Sequence, residues 1–433
     1  MKRLLLFTGK LGYQTRSFEE AAKQLGVELV YVTDRCHQLE DPWNDRAIPV
    51  HFENAEAAAY TVMESVRGAG ASIDGVLALG DRPAQAAAFA ARGLGLRFHH
   101  PAAVEACRNK LRTREVLRDA GLLAPWFRAI RTHPVPEPAL LGITYPCVLK
   151  PLALSASQGV IRANTRDEFL AAADRIVRLL DTPEIRSTRE PNLDRLLVEG
   201  YISGREVAVE GLMVEGELRV LAIFDKPDPL EGPFFEETIY VTPSHLGSAE
   251  QAAIERCTRS SARALGLSHG PLHAEFRVND DGVWPIEVAP RPIGGLCSRA
   301  LRFRSKGGAE SMSLEELLLR HALDMLESDS PREHSASGVM MIPVPSSGVL
   351  ESVEGEEAAR ATPGITELIV TARLHDYVAA WPEGSSYLGF LFASGTKAEA
   401  VERALREAHA KLKFGLIPRL PVEHPASGRA ARS

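Results

Sequence analysis

The residues His273 to Arg291 hold two glutamates, Glu275 and Glu287, in a pattern that forces them together. Leu272, Ala274, Phe276 and Val278 alternate with His273, Glu275 and Arg277, which is strand periodicity with one apolar face. After Asp280-Asp281-Gly282 the apolar face resumes at Trp284, Ile286 and Val288. A three-residue loop with Gly282 in the left-handed position would set Asn279 opposite Val283 and Glu275 opposite Glu287. Their Cβ atoms would lie about 5 Å apart. Facing like charges destabilise a sheet unless something positive sits between them, and a hard divalent cation such as Mg²⁺ is the natural occupant. From the hairpin alone, two glutamates on a solvated strand face are an equally good reading. Arg291, running into Pro292-Ile293-Gly294-Gly295, shifts the balance. A planar guanidinium beside glycine amides that can approach an anion closely is a constellation for phosphate or carboxylate.

This hairpin resembles the last core hairpin of the ATP-grasp superfamily, which runs acid, turn, then Glu-x-Asn-x-Arg. The resemblance implies that Glu275 and Glu287 bridge Mg²⁺, or Mn²⁺ in its place, to the phosphates of ATP. It implies that Arg291 meets a reacting acyl phosphate. Ala289 stands where the family usually has asparagine, so either a water completes the second metal's shell or that metal is held less tightly. Bacterial L-amino-acid ligases resemble the chain in that same substitution.

Three more segments fit the resemblance in order and spacing. Lys110 precedes a helix and Lys150 ends the apolar run Pro-Cys-Val-Leu-Lys, matching the family's two nucleotide lysines; each alone is more often a solvated lysine. Leu154 to Val160, with Ser155, Ser157, Gln158 and Gly159, resembles the mobile loop over the phosphates, where hydroxyls and amides can cradle anionic oxygen. Glu199, Tyr201 and Ile202 fall on the hinge that presents backbone groups to adenine, and Glu206 falls at the ribose acid. A zinc site from His269, His273 and Glu275 is disfavoured, because Gly270-Pro271 forbids the helical spacing such sites use.

The function implied is an ATP-dependent carboxylate–amine ligase acting on an amino acid through an acyl phosphate, with small carboxylate and amine substrates. Arg291 and the Gly294 and Gly295 amides would stabilise the tetrahedral oxyanion. Glu236, Glu237 and His245 are candidates to hold or deprotonate a substrate amine, a surface role being as good a reading of each, and Ser298 is a further substrate candidate. The rivals are a carboxylase or purine-pathway ligase of the same fold using bicarbonate, and a non-catalytic ATP-binding sensor or scaffold. Both lysines, both acids and the arginine are retained, which speaks against the sensor.

The rest of the chain must hold these groups in place. Its 433 residues suit several modules, and 45% apolar with 25% charged residues is ordinary globular composition. A net charge of −7 without a basic stripe argues against nucleic acid, and no apolar run reaches membrane-spanning length. Five scattered cysteines read as reduced thiols in a cytoplasmic protein. A homodimer is compatible with the sequence.

Strand signals at 4–8, 27–33 and 76–79, with helices at 17–25 and 55–67, predict a small parallel sheet. The expected class is α/β, α+β in parts: an ATP-grasp fold with an N-terminal Rossmann-like domain (1–105), the ATP-grasp domain (106–330, lid 146–204), a β-rich C-terminal domain (336–415) and a tail (416–433). Gly9 to Gly12 reads as a turn, Pro134 to Pro138 as a loop, and Pro227 to Ser244 as a site-lining loop. Residues 338–415, with Met-Met-Ile-Pro and Ser-Tyr-Leu-Gly-Phe, read as their own β-rich unit and resemble the C-terminal domain of L-amino-acid ligases.

Overall fold

The structure, a computed structural model, describes all residues except 10–12, 35–46, 71, 133–140, 153, 305–310, 327–329 and 419–433. Most of the Gly9 to Gly12 turn, the Pro134 to Pro138 loop, Cys36 and most of the tail therefore lie outside the described residues.

The N-terminal strands form the expected parallel sheet, ordered Ile48–Pro49, Glu28–Thr33, Arg3–Thr8, Gly75–Leu79. Near-continuous apolar runs such as Leu4 to Phe7 are what a sheet covered on both faces requires. The helix expected from Ser17 begins earlier, at Tyr13, and the helix Asp81–Leu94 after the last strand was not read from sequence. Its six buried alanines and one buried proline let it lie close on the sheet, but they carry little of the bulky periodicity by which helices are recognised.

The centre is an eight-stranded antiparallel sheet in the order Gly282–Ala289, Gly270–Asn279, Arg205–Val214, Glu217–Lys226, Ile239–Thr242, Ala336–Ile342, Gly389–Gly395, Ile365–Val370. This corrects one expectation. Residues 227–244 are not all loop, because Ile239 to Thr242 pair with Met340 to Ser337. Three strands of residues 338–415 continue the central sheet through that four-residue bridge, and three more, Gly348–Glu354, Tyr377–Val378 and Lys413–Ile417, form a sheet of their own. One sheet face is covered by the helices Ser248–Leu265 and Ala398–His409, with Ile223, Leu272 and Phe276 packed in one cluster and Met340, Leu391 and Leu405 in another. The other face packs Phe224, Tyr240 and Phe392 against the N-terminal unit and leaves a polar row toward the cleft.

A second four-stranded sheet, Phe127–Arg131, Arg195–Gly200, Cys147–Pro151 and Ile161–Ala163, is backed by the helix Arg166–Leu180. Thr165 caps that helix by accepting from Glu168 N, and Phe169, Ile176 and Leu180 form its buried face. Among the described residues no helix is long and apolar enough to cross a membrane.

His99, His269 and His321 meet where the N-terminal unit, the Gly270–Asn279 strand and the helix Leu314–Ala322 join, with the His269 and His321 rings stacked at 4.2 Å. Burial lowers His99 to about 4 and His321 to about 3. Unfolded chains bind these protons near the ordinary histidine value, so stability is full above pH 6.5 and falls as pH drops toward 4. The loss is about 1.4 kcal/mol per histidine per pH unit. Between pH 7.5 and 5 the wild-type urea midpoint should fall relative to that of His321→Gln, which removes one of these protonations.

Candidate active site

Glu275 pairs directly with Glu287, as the sequence pattern requires, but by a different route. The turn is one residue tighter than expected: Asn279 pairs with Gly282, whose φ is +132°. A register shift after Glu275 then sets Phe276 opposite Pro285, so Ile286 is the extra residue of a bulge. The tighter turn and the bulge cancel at the glutamates. They do not cancel for Trp284 and Ile286, which leave the apolar face; Trp284 pairs with Arg277, and Ile286 lines the cleft. Among the described residues no hydrogen bond or ion pair engages the Glu287 carboxylate.

Register places the remaining polar row on the same sheet face. Arg277, Glu206 and Lys226 align across three strands, and His273 aligns with Glu210. The ammonium of buried Lys226 lies 2.9 Å from Glu206, 2.7 Å from Glu237 and 3.2 Å from Glu275. Burial opposes its charge, but the three carboxylates hold its pKa well above the ordinary lysine value. Burial and the charge of Glu275 push Glu237 up to about 7, and Tyr240 donates to its other oxygen at 2.8 Å. His273 lies 3.1 Å from Glu210 and 3.5 Å from Glu275; burial opposes its charge, yet these acids raise it to about 9. Glu210 also accepts from Ile293 N at 3.2 Å, which fixes the loop leading to Gly294 and Gly295.

Two cavities meet at the facing glutamates. One is lined by Lys110, Lys150, Ser157, Tyr201, Ile202 and Glu206, together with Glu275 and Glu287. The other, of ≈ 520 Å³, is lined by Ser155, Ser157, Glu237, Arg291, Gly294 and Gly295, again with both glutamates. Lys110 opens its helix with Asn109 as cap and donates to Leu154 O at 2.6 Å. Lys150, next to last in its strand, lies 2.5 Å from Glu199, whose carboxylate is also gripped by Arg114 at 2.7 Å. Burial opposes the charge of Glu199, but Arg114 and Lys150 bring it down to about 2. Its side chain therefore holds the Lys150 ammonium at the wall of the first cavity, which Glu199 also lines. Glu199→Ala would leave the Arg114 guanidinium buried without its anion, at a cost of about 3–5 kcal/mol, which a drop in the urea midpoint would register. Glu206 lies in the first cavity with its carboxylate already held by Lys226 and by Arg277 at 3.0 Å.

Arg291 reaches the second cavity from one side while its Nε donates to Asp81 at 2.7 Å. Burial would raise the Asp81 pKa, but Arg291 holds it below the ordinary range. Three substrate candidates are not brought to the cleft. Glu236 accepts from Val344 N at 3.2 Å and lines neither cavity. His245 pairs with Asp225 and is half exposed, and Ser298 donates to buried Glu315 at 2.6 Å. Gln158 and Gly159 also turn away from both cavities, toward residues 382–383, and only Ser155, Ala156 and Ser157 of that loop face the larger cleft.

Sequence reading missed Lys226, Asp81, Glu210 and the role of His273. Lys226 ends an apolar strand, Leu-Ala-Ile-Phe-Asp-Lys, and so carried the same signal as Lys150. The others become neighbours only through sheet register or the approach of the N-terminal unit.

Three family models match the chain in order: an ATP-grasp N-terminal domain at residues 18–97, an ATP-grasp domain at 143–300, and the L-amino acid ligase C-terminal domain 2 at 340–416. The chain belongs to the ATP-grasp superfamily. A crystal structure of an L-amino acid ligase from Bacillus licheniformis superposes with TM-score 0.79 at 28% identity, covering 97% of this chain and 99% of that one. N5-carboxyaminoimidazole ribonucleotide synthetase from Thermotoga maritima shares the fold, with TM-score 0.67 at 16% identity over 96% and 99% of the two chains. An ATP-grasp enzyme of Aspergillus fumigatus is 27% identical over 64% of this chain and 53% of its own length. Alanine–anticapsin ligase of Bacillus amyloliquefaciens is 28% identical over 48% of this chain and 46% of its own. The chain thus spans about half the length of these curated ATP-grasp relatives.

Proposed function

We propose that the protein is an ATP-dependent carboxylate–amine ligase that joins an amino acid to an amine or to a second amino acid. The observation that carries this reading is that two cavities share Glu275 and Glu287 as a common wall. Such a wall suits a nucleotide on one side and an acceptor carboxylate on the other. The first cavity supplies Lys110 and Lys150 for phosphates, and the second supplies Arg291, Glu237 and the Gly294–Gly295 turn.

The donor set fits Mg²⁺: two facing carboxylates, one of them without a protein partner among the described residues, are hard oxygen ligands in need of positive charge. Glu275 and Glu287 would hold it, and when bound it would neutralise phosphate charge. The other cluster of three acids, Glu206, Glu237 and Glu275, already has its cation in Lys226.

In the reaction, a substrate carboxylate oxygen attacks the γ-phosphorus and ADP leaves, giving an acyl phosphate. The amine then attacks the acyl carbon; the tetrahedral oxyanion collapses, phosphate departs and the amine nitrogen loses a proton. Lys110 and Lys150 hold phosphate charge, which is the main requirement in phosphoryl transfer. Arg291, fixed by Asp81, meets the oxyanion. Glu237, with its carboxyl near neutrality, holds the substrate ammonium or takes its proton.

Incubating the protein with Mg-ATP and pairs of amino acids, and reading ADP, phosphate and product mass, tests this reading. It expects ADP and phosphate released together with a product lighter than the two substrates by one water. ATP turnover that needs bicarbonate and no amine would overturn it.

A further inference from the structure

The segment Trp381 to Tyr387 connects the loop Ser155–Gly159, whose Ser157 borders both cavities, to the wall of the second. At one end, the Trp381 indole N–H donates to Ala156 O at 3.0 Å, Gly159 N donates to Pro382 O at 2.8 Å, and Gln158 Nε2 donates to Glu383 O at 2.7 Å. The Glu383 carboxylate takes a two-point ion pair from Arg175, on the helix behind that loop, at 2.6 and 2.8 Å. At the other end, Ser385, Ser386 and Tyr387 line the larger cavity beside Met341 and Cys297. The two ends touch: the Tyr387 ring lies 5.0 Å from the Trp381 ring at 30°.

A path of three direct contacts therefore runs from the cavity through Tyr387 and Trp381 to Ala156. Ala156 and the neighbouring Ser157 have φ of +55° and +53°, a conformation that non-glycine residues adopt at a cost and keep only when their surroundings impose it. The surroundings here are the segment 381–383. That segment is anchored to the loop at 381–383 and lines the second cavity at 385–387, so a ligand against Tyr387 would bear on how firmly the loop is held.

We propose that residues 381–387 are a strap that couples occupancy of the amino-acid cavity to closure of the loop Ser155–Gly159, with Trp381 and Glu383 as its positioning residues. This rests on the ligase reading for the identity of the cavity ligand and goes beyond it in assigning the coupling. The strap makes phosphate closure depend on a substrate being present, which limits ATP loss to water. Binding of nucleotide and of amino acid is then mutually reinforcing, by about tenfold in each direction.

The test uses Trp381→Phe, which keeps a ring against Tyr387 and deletes the indole donor, and Glu383→Gln, which breaks the ion pair to Arg175. Hydrogen exchange of the peptide spanning 154–160 is followed in the full-length protein alone, with the non-hydrolysable ATP analogue AMP-PNP and Mg²⁺, and with the twenty common amino acids added together to that mixture. Wild-type protein should gain protection from the amino acids beyond that given by nucleotide. Both variants should lose this added gain, show faster exchange without ligand, and bind AMP-PNP alone within about twofold of wild type. Trp381→Phe should raise the amino-acid Kd measured with AMP-PNP bound about tenfold and, by reciprocity, the AMP-PNP Kd measured with amino acid bound by a similar factor. Unchanged loop exchange in both variants would overturn the strap. A wild-type protein that forms no amide with any amino acid would instead overturn the ligase reading, while the ligand-free exchange still decides whether the strap holds the loop.

Discussion

Glu287→Gln is expected to lower turnover by roughly a hundredfold or more while leaving the fold intact, the scale seen when one electrostatic group aimed at a transition state is removed. Glu287 faces Glu275 across the strand pair and has no protein cation bonded to it among the described residues. Removing its charge relieves repulsion in the free protein, and Arg291 keeps its bond to Asp81. The melting temperature without ligand should be unchanged or slightly raised, and the extra stability given by Mg-ATP should shrink. A variant with wild-type turnover would remove Glu287 from the metal site.

Arg291→Lys should separate nucleotide binding from amide formation. The guanidinium donates to Asp81 through Nε and to Pro292 O through Nη1 while lining the larger cavity, a division of labour that a single ammonium cannot reproduce. Amide formation should fall by about a hundredfold or more. ATP affinity should change little, because Arg291 lines the acceptor cavity and not the one holding Lys110 and Lys150. Loss of ATP binding with a normal rate at saturating ATP would show that Arg291 serves the nucleotide.

The parts of the site that were legible in the sequence are those set by local pattern. Period-two alternation around Glu275 and Glu287, an asparagine cap before Lys110, and an apolar run ending at Lys150 each follow from a few consecutive residues. Even there the register came out right through two compensating differences, a tighter turn and a bulge at Ile286, neither of which has a distinct residue signature. Lys226 among three acids, Glu210 between His273 and Ile293, and Asp81 beside Arg291 depend on strands or units far apart in the chain. The bridge Ile239–Thr242 was hidden for a related reason: four strand residues inside a proline-bearing stretch give too short a run to distinguish from loop. Ser298 and His245 were chosen for residue type, and type alone does not reveal that Glu315 and Asp225 already occupy them.

The central claim is that a substrate carboxylate receives the γ-phosphoryl group before the amine arrives. It is tested most directly by supplying the protein with Mg-ATP, an amine and an amino acid carrying ¹⁸O in both carboxylate oxygens, then weighing the released phosphate. Transfer through an acyl phosphate predicts one ¹⁸O in the inorganic phosphate for every amide formed, with the other retained in the amide carbonyl. Phosphate released without label, or label appearing in AMP, would contradict it.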